Sequence, residues 1–491
     1  MKTTSLKKNY IYNLLSEIIG LLVPLITTPY VSRVLHEEGI GQYSFAYSIV
    51  SYFVLLGVFG FGQYSQRVMA KVRNNNHDCS VAFWELFFAK FFTSLVSVGL
   101  FLVLLFSQAL SKYNVLLIVC SSLLIDCAFN IVSYYRALEE FKFVSFRNIL
   151  VKLLGLVLIF VFVKTENDTW IYALCLCGST LVGNLLLWPS TLKRLDKIKI
   201  SELNVKQHFL PALLLFLPSI ALSVYSSIDK TLIGFLSTDS DYQNGCYEQA
   251  YKIITILTTI VTIIGPVMLS RNTHLLSEQN EEEFRANILF SLNYVWVVAV
   301  PLIAGTLVLA PNISSWLFGE GYDDVPQIMY FLSPIVLFMG ISNAFGIQYL
   351  LPKKKDNHYA IAILSGTVLN ICLNILFIPR FSATGAAIGT AIAEAFIMII
   401  EACFVFKFHD LKIKDFFIMP IKYLIAGGLM FALMFCLQRF LFNYTILSFF
   451  IIGFIGVVLY ILLLLLLRDS FLLKGVKYLR LKMTRKKKTD E

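Results

Sequence analysis

Long apolar stretches alternate with short polar loops along the whole chain, and the positive charges fall in every second loop. Each stretch is long enough for a helix to cross about 30 Å of hydrocarbon. The stretches cover residues 11–31, 40–62, 82–106, 114–134, 146–163, 170–188, 209–236, 247–269, 286–309, 328–350, 358–378, 383–406, 418–438 and 446–467. The pattern predicts an all-α polytopic membrane protein with about fourteen transmembrane helices.

The distribution of Lys and Arg predicts how these helices are oriented. When the N-terminus is placed in the cytoplasm, thirty-one of the 41 Lys and Arg residues lie in cytoplasmic segments and five lie in outer loops. The remaining five lie within the apolar stretches. Cytoplasmic loops of membrane proteins carry such an excess of Lys and Arg. We therefore expect a multi-pass protein of a bacterial plasma membrane, with both termini in the cytoplasm.

The composition excludes a soluble domain and argues against a nucleic-acid partner. The chain is 57% hydrophobic and only 15% charged, which is too apolar for a soluble fold. Its net charge of +10 is concentrated in the predicted cytoplasmic loops and in the tail 468–488, where anionic lipid headgroups attract it. The tail has neither aromatic interleaving nor a motif that reads nucleic acid.

The loops leave no room for a catalytic domain. The chain contains no Gly-rich phosphate loop that ends in Lys-Ser or Lys-Thr, and its six histidines are not spaced as a metal pair. We therefore expect a transporter that needs no cofactor and no metal. A membrane glycan polymerase or ligase is an alternative from another class, but such enzymes usually carry one large outer loop.

A short motif occurs twice and predicts an internal repeat. Residues 41–47 and 245–251 both match Gly-x-Tyr-x-x-Ala-Tyr, and a weaker pair of matches lies at 130–135 and 343–349. Because six apolar stretches separate the two copies, both have the same orientation in the membrane. Parallel repeats of this kind place the substrate path between the halves of a transporter.

The repeat predicts where the chain divides. We expect an N-terminal lobe of six helices at residues 1–190, a cytoplasmic linker at 191–208 and a C-terminal lobe of six helices at 209–407. Residues 408–491 would add two further helices and the basic tail.

Prolines occur in the first helix of each predicted lobe, at Pro24 and Pro29 and at Pro211 and Pro218. A proline inside a helix removes one hydrogen bond and bends the helix. These prolines are therefore candidate hinges for alternating access. The alternative is that they have no special role, because proline is common in membrane helices.

Several motifs occur in order over residues 8–470. They are Pro29-Tyr30-Val31-Ser32-Arg33, Phe83-Trp84-Glu85-Leu86, Ile228-Asp229-Lys230-Thr231, Gln348-Tyr349-Leu350-Leu351-Pro352, and Thr384-Gly385-Ala386-Ala387 with Glu394. In this order they resemble the Wzx-type polysaccharide flippases of the multidrug/oligosaccharidyl-lipid/polysaccharide exporter (MOP) superfamily. One departure is His36-Glu37, which stands where the family often has a glycine.

The resemblance implies a MATE-like fold, with two six-helix lobes around a central cavity and two added helices. It also implies export of an undecaprenyl-diphosphate-linked oligosaccharide to the outer leaflet, for surface polysaccharides such as lipopolysaccharide O-antigen or capsule. Membrane lipids would be its surroundings, and polymerase and chain-length proteins of the same pathway are candidate partners. The alternative within the superfamily is a cation-coupled multidrug antiporter, which would favour an acidic and aromatic cavity.

Positive residues at membrane depth are candidates for binding the diphosphate, because phosphate charges cannot enter hydrocarbon unpaired. These candidates are Lys90, Lys152, Lys230 and Lys252, together with Arg33 at the outer end of the first helix. The alternatives are that a lysine snorkels to the membrane surface or pairs with a buried acid. For Lys90 that acid would be Glu85 or Glu17, and for Lys230 it would be a carboxylate on a neighbouring helix.

Carboxylates at membrane depth are candidates for ion coupling. Asp126 and Glu394 are predicted near mid-depth, and Glu17 lies in the first helix. A carboxylate without a full partner in this environment can bind and release a proton or a sodium ion during transport. The alternative is a protonated carboxyl group that is hydrogen-bonded to a neighbouring helix.

Overall fold

The protein is described from a computed structural model, which covers residues 6–408, 420–441, 446–469 and 471–473. The side chains of residues 6–15, 17–18, 21, 217–219, 221–224, 226 and 441 lie outside the described part. Two candidate side chains, those of Glu17 and Pro218, are therefore not described. The basic tail after residue 473 also lies outside the described residues.

The described chain consists of helices joined by short turns, with no strand in these ranges. The α-helices are α1 (Leu6–Val58), α2 (Phe61–Val72), α3 (Asn76–Leu105), α4 (Asn114–Cys120), α5 (Ser122–Phe129), α6 (Val132–Ala137), α7 (Phe141–Phe162), α8 (Thr169–Leu185), α9 (Trp188–Leu192), α10 (Phe209–Leu236), α11 (Ser240–Thr262), α12 (Gly265–Ser277), α13 (Glu281–Ile313), α14 (Val325–Leu332), α15 (Ile335–Ser342), α16 (Asp356–Lys407), α17 (Ile421–Leu441) and α18 (Ile446–Leu466). Ser314–Phe318 and Asn343–Leu350 form π-helical turns. Four short 3₁₀ segments lie at Gln108–Tyr113, Glu166–Asp168, Ile200–Glu202 and Val205–His208.

Eleven of the described helical stretches are long and apolar enough to cross a membrane. Two of these stretches each contain two helices, because the backbone leaves the helical conformation at His36 in α1 and at Ser382 in α16. With α10, which is 28 residues long, the described residues hold fourteen apolar helical segments. The prediction of an all-α polytopic membrane protein is confirmed.

Many apolar side chains on the helices are exposed, as a lipid environment allows. The clearest case is α18, where a single buried stripe includes Ile452, Gly456 and Tyr460. On the same helix Phe454 and Leu466 are 72% and 78% exposed. A helix that is apolar on all sides but packed on only one is typical of the lipid-facing edge of a membrane protein.

The contacts divide the chain into two compact units, Met1–Glu248 and Gln249–Glu491. In the first unit α1 is central and packs against α3, α5, α7 and α10, and α8 packs against α5 and α7. In the second unit α13 packs against α15, α17 and α18, and α16 packs against α14 and α15. The lobe boundaries at residues 190 and 209 stay predictions.

Within the first unit, the two copies of the Gly-x-Tyr motif cross each other. A β-carbon added at Gly41 would collide with the backbone of Asp241 and Gly245, and one added at Gly245 would collide with the backbone of Glu37. Gly41 therefore contacts the second copy at its glycine, Gly245, and one helical turn earlier, at Asp241. Gly245 contacts the first copy one turn before Gly41, at Glu37. Such a close crossing requires glycine because no other residue leaves room for the opposing backbone.

The candidate hinge prolines lie in different helical contexts. Pro24 and Pro29 are inside α1, whose only non-helical residue is His36. Pro211 is the third residue of α10, and proline in a first turn removes no helical hydrogen bond. The hinge role of these prolines stays a prediction.

The break in α1 predicts a stabilising substitution. His36 has φ 54° and ψ −178°, a conformation that is essentially reserved for glycine and costs other residues about 1–3 kcal/mol. His36→Gly should therefore raise the free energy of unfolding by about 1 kcal/mol, seen as a higher melting temperature in detergent by size-exclusion chromatography. Val34→Gly, in the helix two residues earlier, is the matched control and should lower it. An unchanged or lower melting temperature for His36→Gly would contradict a strained residue at this break.

Candidate functional site

A polar seam joins α10 to the second half of α1. The Thr231 hydroxyl lies 2.9 Å from the Ser48 hydroxyl and 3.0 Å from the Tyr52 hydroxyl. One turn earlier on α10, Ser227 accepts a hydrogen bond of 3.0 Å from Ser51. These hydroxyl groups satisfy one another inside the apolar bundle and fix the register of the two helices.

Lys230 lies beside this seam and is paired. Its Nζ is 2.5 Å from Oε2 of Glu248 on α11, and the two side chains are only 16% and 20% exposed. Ser44 donates a hydrogen bond of 2.9 Å to the same carboxylate oxygen. The neighbouring Asp229 accepts a hydrogen bond of 2.5 Å from Tyr247. The structure thus gives Lys230 a carboxylate partner on a neighbouring helix, one of the three arrangements that the sequence left open.

A second charged cluster lies among α3, α5, α7 and α8. Lys90 donates to the backbone carbonyl of Asn130, and Asp126 accepts a hydrogen bond of 2.5 Å from Asn184. Lys90 and Arg147 both lie close enough to Asp126 to interact with its charge. Two cations therefore lie near one carboxylate. Arg147 is among the residues that the charge count placed in cytoplasmic segments, so its part in this cluster was missed.

Glu85 is not bonded to Lys90, although the sequence offered it as a partner. Its carboxylate accepts hydrogen bonds from the backbone of Asn204 at 2.6 Å, from Gln207 at 3.1 Å and from His208 at 2.8 Å. His208 is in turn 3.0 Å from the Tyr64 hydroxyl. All three donors belong to the segment before α10, so Glu85 attaches this segment to α3. Residues so distant in sequence could not be paired from spacing alone.

The remaining candidate cations have separate surroundings. Arg33 is exposed and donates to the backbone carbonyl of Pro29 at 2.9 Å. The ammonium group of Lys152 lies against Gly20 of α1. In the second unit, Lys252 donates to the side chain of Gln249 at 3.1 Å.

The second unit contains a small cavity of about 290 Å³, whose wall combines apolar side chains with a group of polar ones. Its wall includes Thr255, Thr258, Ser342, Asn343 and Glu394, and Glu394 is 4% exposed. Ser342 and Asn343 lie where α15 passes into the π-helical turn, and such turns often occur at functional sites. The cavity is lined by hydroxyl, amide and carboxylate oxygens, which are the ligands that small cations prefer.

Glu401 is the residue that the sequence interpretation missed at this site. Its side chain is fully buried, and its Oε2 accepts a hydrogen bond of 2.6 Å from Ser342. The other oxygen, Oε1, has no hydrogen-bond partner among the described residues. Glu394 and Glu401 interact with each other and with Tyr359. The available signal was spacing, because residues seven apart lie on the same face of a helix.

The polysaccharide biosynthesis protein family matches residues 6–269, which is more than half of the chain. The chain belongs to this family. The family match confirms the resemblance to polysaccharide flippases that the motifs indicated.

Individual relatives extend this match. The chain is 23% identical over 413 residues to a "Putative O-antigen transporter" of Escherichia coli (strain K12), covering 82% of this chain and 97% of that protein. Its fold is similar to that of the lipid II flippase MurJ in an inward closed conformation, with a TM-score of 0.66, 17% identity and coverage of 94% of this chain and 99% of that one. An inward-facing MATE family transporter of the MOP superfamily gives a TM-score of 0.64 at 15% identity, with 78% of this chain and 93% of that chain covered.

The Lys230–Glu248 pair makes a stability prediction for this family member. Removing one partner of a poorly exposed ion pair leaves an uncompensated charge, which costs up to about 3–5 kcal/mol when the site is buried. Glu248→Ala should therefore lower the melting temperature by several degrees, and Glu248→Ala combined with Lys230→Ala should recover most of this loss. The matched control is Glu320→Ala, at an exposed loop position. If the double variant is as unstable as the sum of the two single ones, Lys230 and Glu248 do not stabilise the fold as a pair.

Proposed function

We propose that this protein is a flippase that moves an undecaprenyl-diphosphate-linked oligosaccharide from the inner to the outer leaflet of a bacterial plasma membrane. The observation that carries the proposal is the family match, extended by the O-antigen transporter that the chain matches over 97% of that protein's length. The fold shared with the lipid II flippase is in keeping with it. The protein acts as a transporter and not as an enzyme.

The headgroup of such a substrate explains the intramembrane cations. A diphosphate that leaves water needs positive partners along its path, because an unpaired charge in hydrocarbon is very costly. The cluster of Lys90 and Arg147 around Asp126 has an excess of positive charge. Lys230 can exchange the carboxylate of Glu248 for a phosphate oxygen, since both are acceptors of the same charge-assisted hydrogen bonds. Arg33, Lys152 and Lys252 are the other proposed partners of the diphosphate.

A multidrug antiporter is the second function that the fold permits. The MATE family transporter is only 15% identical to this chain, and that likeness supports the fold alone. Lys90, Lys152 and Lys230 are half-buried in the first unit, which also buries acidic side chains. The family match and the O-antigen transporter therefore support the flippase over the antiporter, and the relatives give no support to a glycan polymerase or ligase.

The orientation of the protein is part of this proposal. The positive-inside distribution of Lys and Arg supports cytoplasmic termini and a cytoplasmic linker at 191–208. A reporter that is active only in the cytoplasm, fused after Lys199 and after Asp241, measures this orientation directly.

We further propose that a proton or a sodium ion is coupled to transport in the second unit. Glu394 and several hydroxyl groups line the cavity. Ser342 on its wall donates a hydrogen bond to Glu401, whose other oxygen is buried without a hydrogen bond in the described part of the chain. A cation or a proton would satisfy that oxygen. Asp126 is the other candidate coupling carboxylate, but its neighbouring cations make it the weaker one.

Deletion of the gene tests the flippase function. The deletion strain should lose its surface polysaccharide and accumulate the undecaprenyl-diphosphate-linked repeat unit, because assembly continues on the cytoplasmic side. A plasmid copy should restore export, whereas a Lys90→Ala copy should restore less than a tenth of it at equal protein level. Lys164→Ala, which changes an exposed lysine, is the control and should restore export fully. A deletion strain with normal surface glycan and no accumulated lipid-linked unit would refute the function.

A reconstituted system tests the coupling. In vesicles that contain the purified protein and its lipid-linked oligosaccharide, an imposed pH or sodium gradient should accelerate flipping. Glu394→Gln and Glu401→Gln remove the negative charge but keep the size of each side chain, so both should abolish the acceleration without abolishing flipping. Asp323→Asn, at an exposed loop position, is the control. Acceleration that is equal in all variants would exclude Glu394 and Glu401 as the coupling site.

A further inference from the structure

The first unit contains a large cavity that none of the functions above uses. Its volume is about 730 Å³, within the range of about 300–1,000 Å³ that is usual for small-molecule sites. Three connecting segments line it: the break in α1 at residues 35–39, the segment 112–116 and the segment 166–170. The sequence places all three segments in loops on the outer side of the membrane.

Hydrogen bonds and an ion pair hold part of the cavity wall in place. Gln42 and Lys112 both line it, and both reach the buried carboxylate of Asp241, at 3.1 Å and 2.6 Å. Tyr113 donates a third hydrogen bond of 2.6 Å to the same carboxylate. Gly39 lies so close to the Thr169 hydroxyl that a β-carbon there would be 2.7 Å from it. A site that is fixed before binding loses less entropy when a ligand arrives.

The charges on the wall exclude a phosphate ligand. Glu37, Glu38 and Glu166 line the cavity, and none of them forms an ion pair within the described part of the chain. The charge of Lys112 is already neutralised by Asp241 at 2.6 Å. The wall is therefore negative, and it would repel the diphosphate or an acidic sugar.

The remaining wall groups fit the chemistry of a sugar. Trp170 is 45% exposed, and the C–H face of a pyranose ring packs well on the face of an indole. Glu37, Glu38 and Glu166 line the same cavity. Sugar hydroxyl groups donate hydrogen bonds, and carboxylates accept them. Asn167 adds an amide that can both donate and accept.

We propose that this cavity binds neutral or amino sugars of the transported oligosaccharide on the outer side of the membrane. The inference rests on the proposed flippase function for the identity of the ligand, but the binding itself can be measured separately. Trp170 stacks on a sugar ring, and Glu37 accepts hydrogen bonds from its hydroxyl groups. The cavity binds the sugar part of the substrate, whereas the intramembrane cations bind its diphosphate.

Saturation-transfer NMR on the purified full-length protein in lipid nanodiscs tests the proposal. Three soluble trisaccharides serve as probes: maltotriose, the β-1,4-linked trimer of glucosamine, and trigalacturonic acid. Maltotriose and the glucosamine trimer should receive saturation from the protein, whereas trigalacturonic acid should receive at least fivefold less. Equal transfer to all three probes, stronger transfer to the acidic one, or no transfer to any would overturn the proposal.

Variants locate the binding within the cavity. Trp170→Ala and Glu37→Gln should each reduce the transfer to maltotriose at least fivefold, and Trp170→Phe should retain an intermediate signal because it keeps an aromatic face. Glu320→Gln is the matched control and should bind as the parent does. Full binding by both Trp170→Ala and Glu37→Gln would show that the sugar binds elsewhere. Sugar binding and export are measured separately for each variant. A variant that loses sugar binding but still exports the lipid-linked unit, or one that binds sugar but does not export, distinguishes this inference from the flippase function.

Discussion

The close crossing of the two Gly-x-Tyr segments is the contact on which the first unit depends. Gly41 and Gly245 bring the backbones of α1 and α11 together, and only then can Ser44 reach Glu248 and Gln42 reach Asp241. A larger residue at either glycine would separate the helices and break both polar contacts at once. The two copies of the motif thus meet at a close helix crossing.

The two units differ in how they manage charge inside the membrane. In the first unit Lys90 and Arg147 lie near Asp126, and Lys230 pairs with Glu248. In the second unit Glu394 and four threonines are among the residues that line a cavity of about 290 Å³. Cations therefore accompany carboxylates in the first unit, whereas hydroxyl groups accompany the carboxylate in the second.

The sequence predicted the helices and the family because hydropathy and the order of motifs can be read without knowing how the helices pack. It also singled out Glu394, because this carboxylate lies near the predicted middle of the membrane and at a position typical of the family. It missed the roles of Arg147 and Glu401 because burial and neighbours decide them, and both depend on how distant helices pack. The bonds of Glu85 to residues 204–208 were missed for the same reason. His36 was noticed as a departure from the family, but only the backbone angles explain why glycine is usual there.

The carboxylate of Glu85 holds residues 204–208 against α3. Pulling residues 204–208 away from α3 would strip a buried carboxylate of three hydrogen bonds in one step, and leaving such a group unsatisfied is costly. Residues 204–208 are therefore attached to α3 by a buried carboxylate. A rearrangement that keeps these three hydrogen bonds must move residues 204–208 and α3 together.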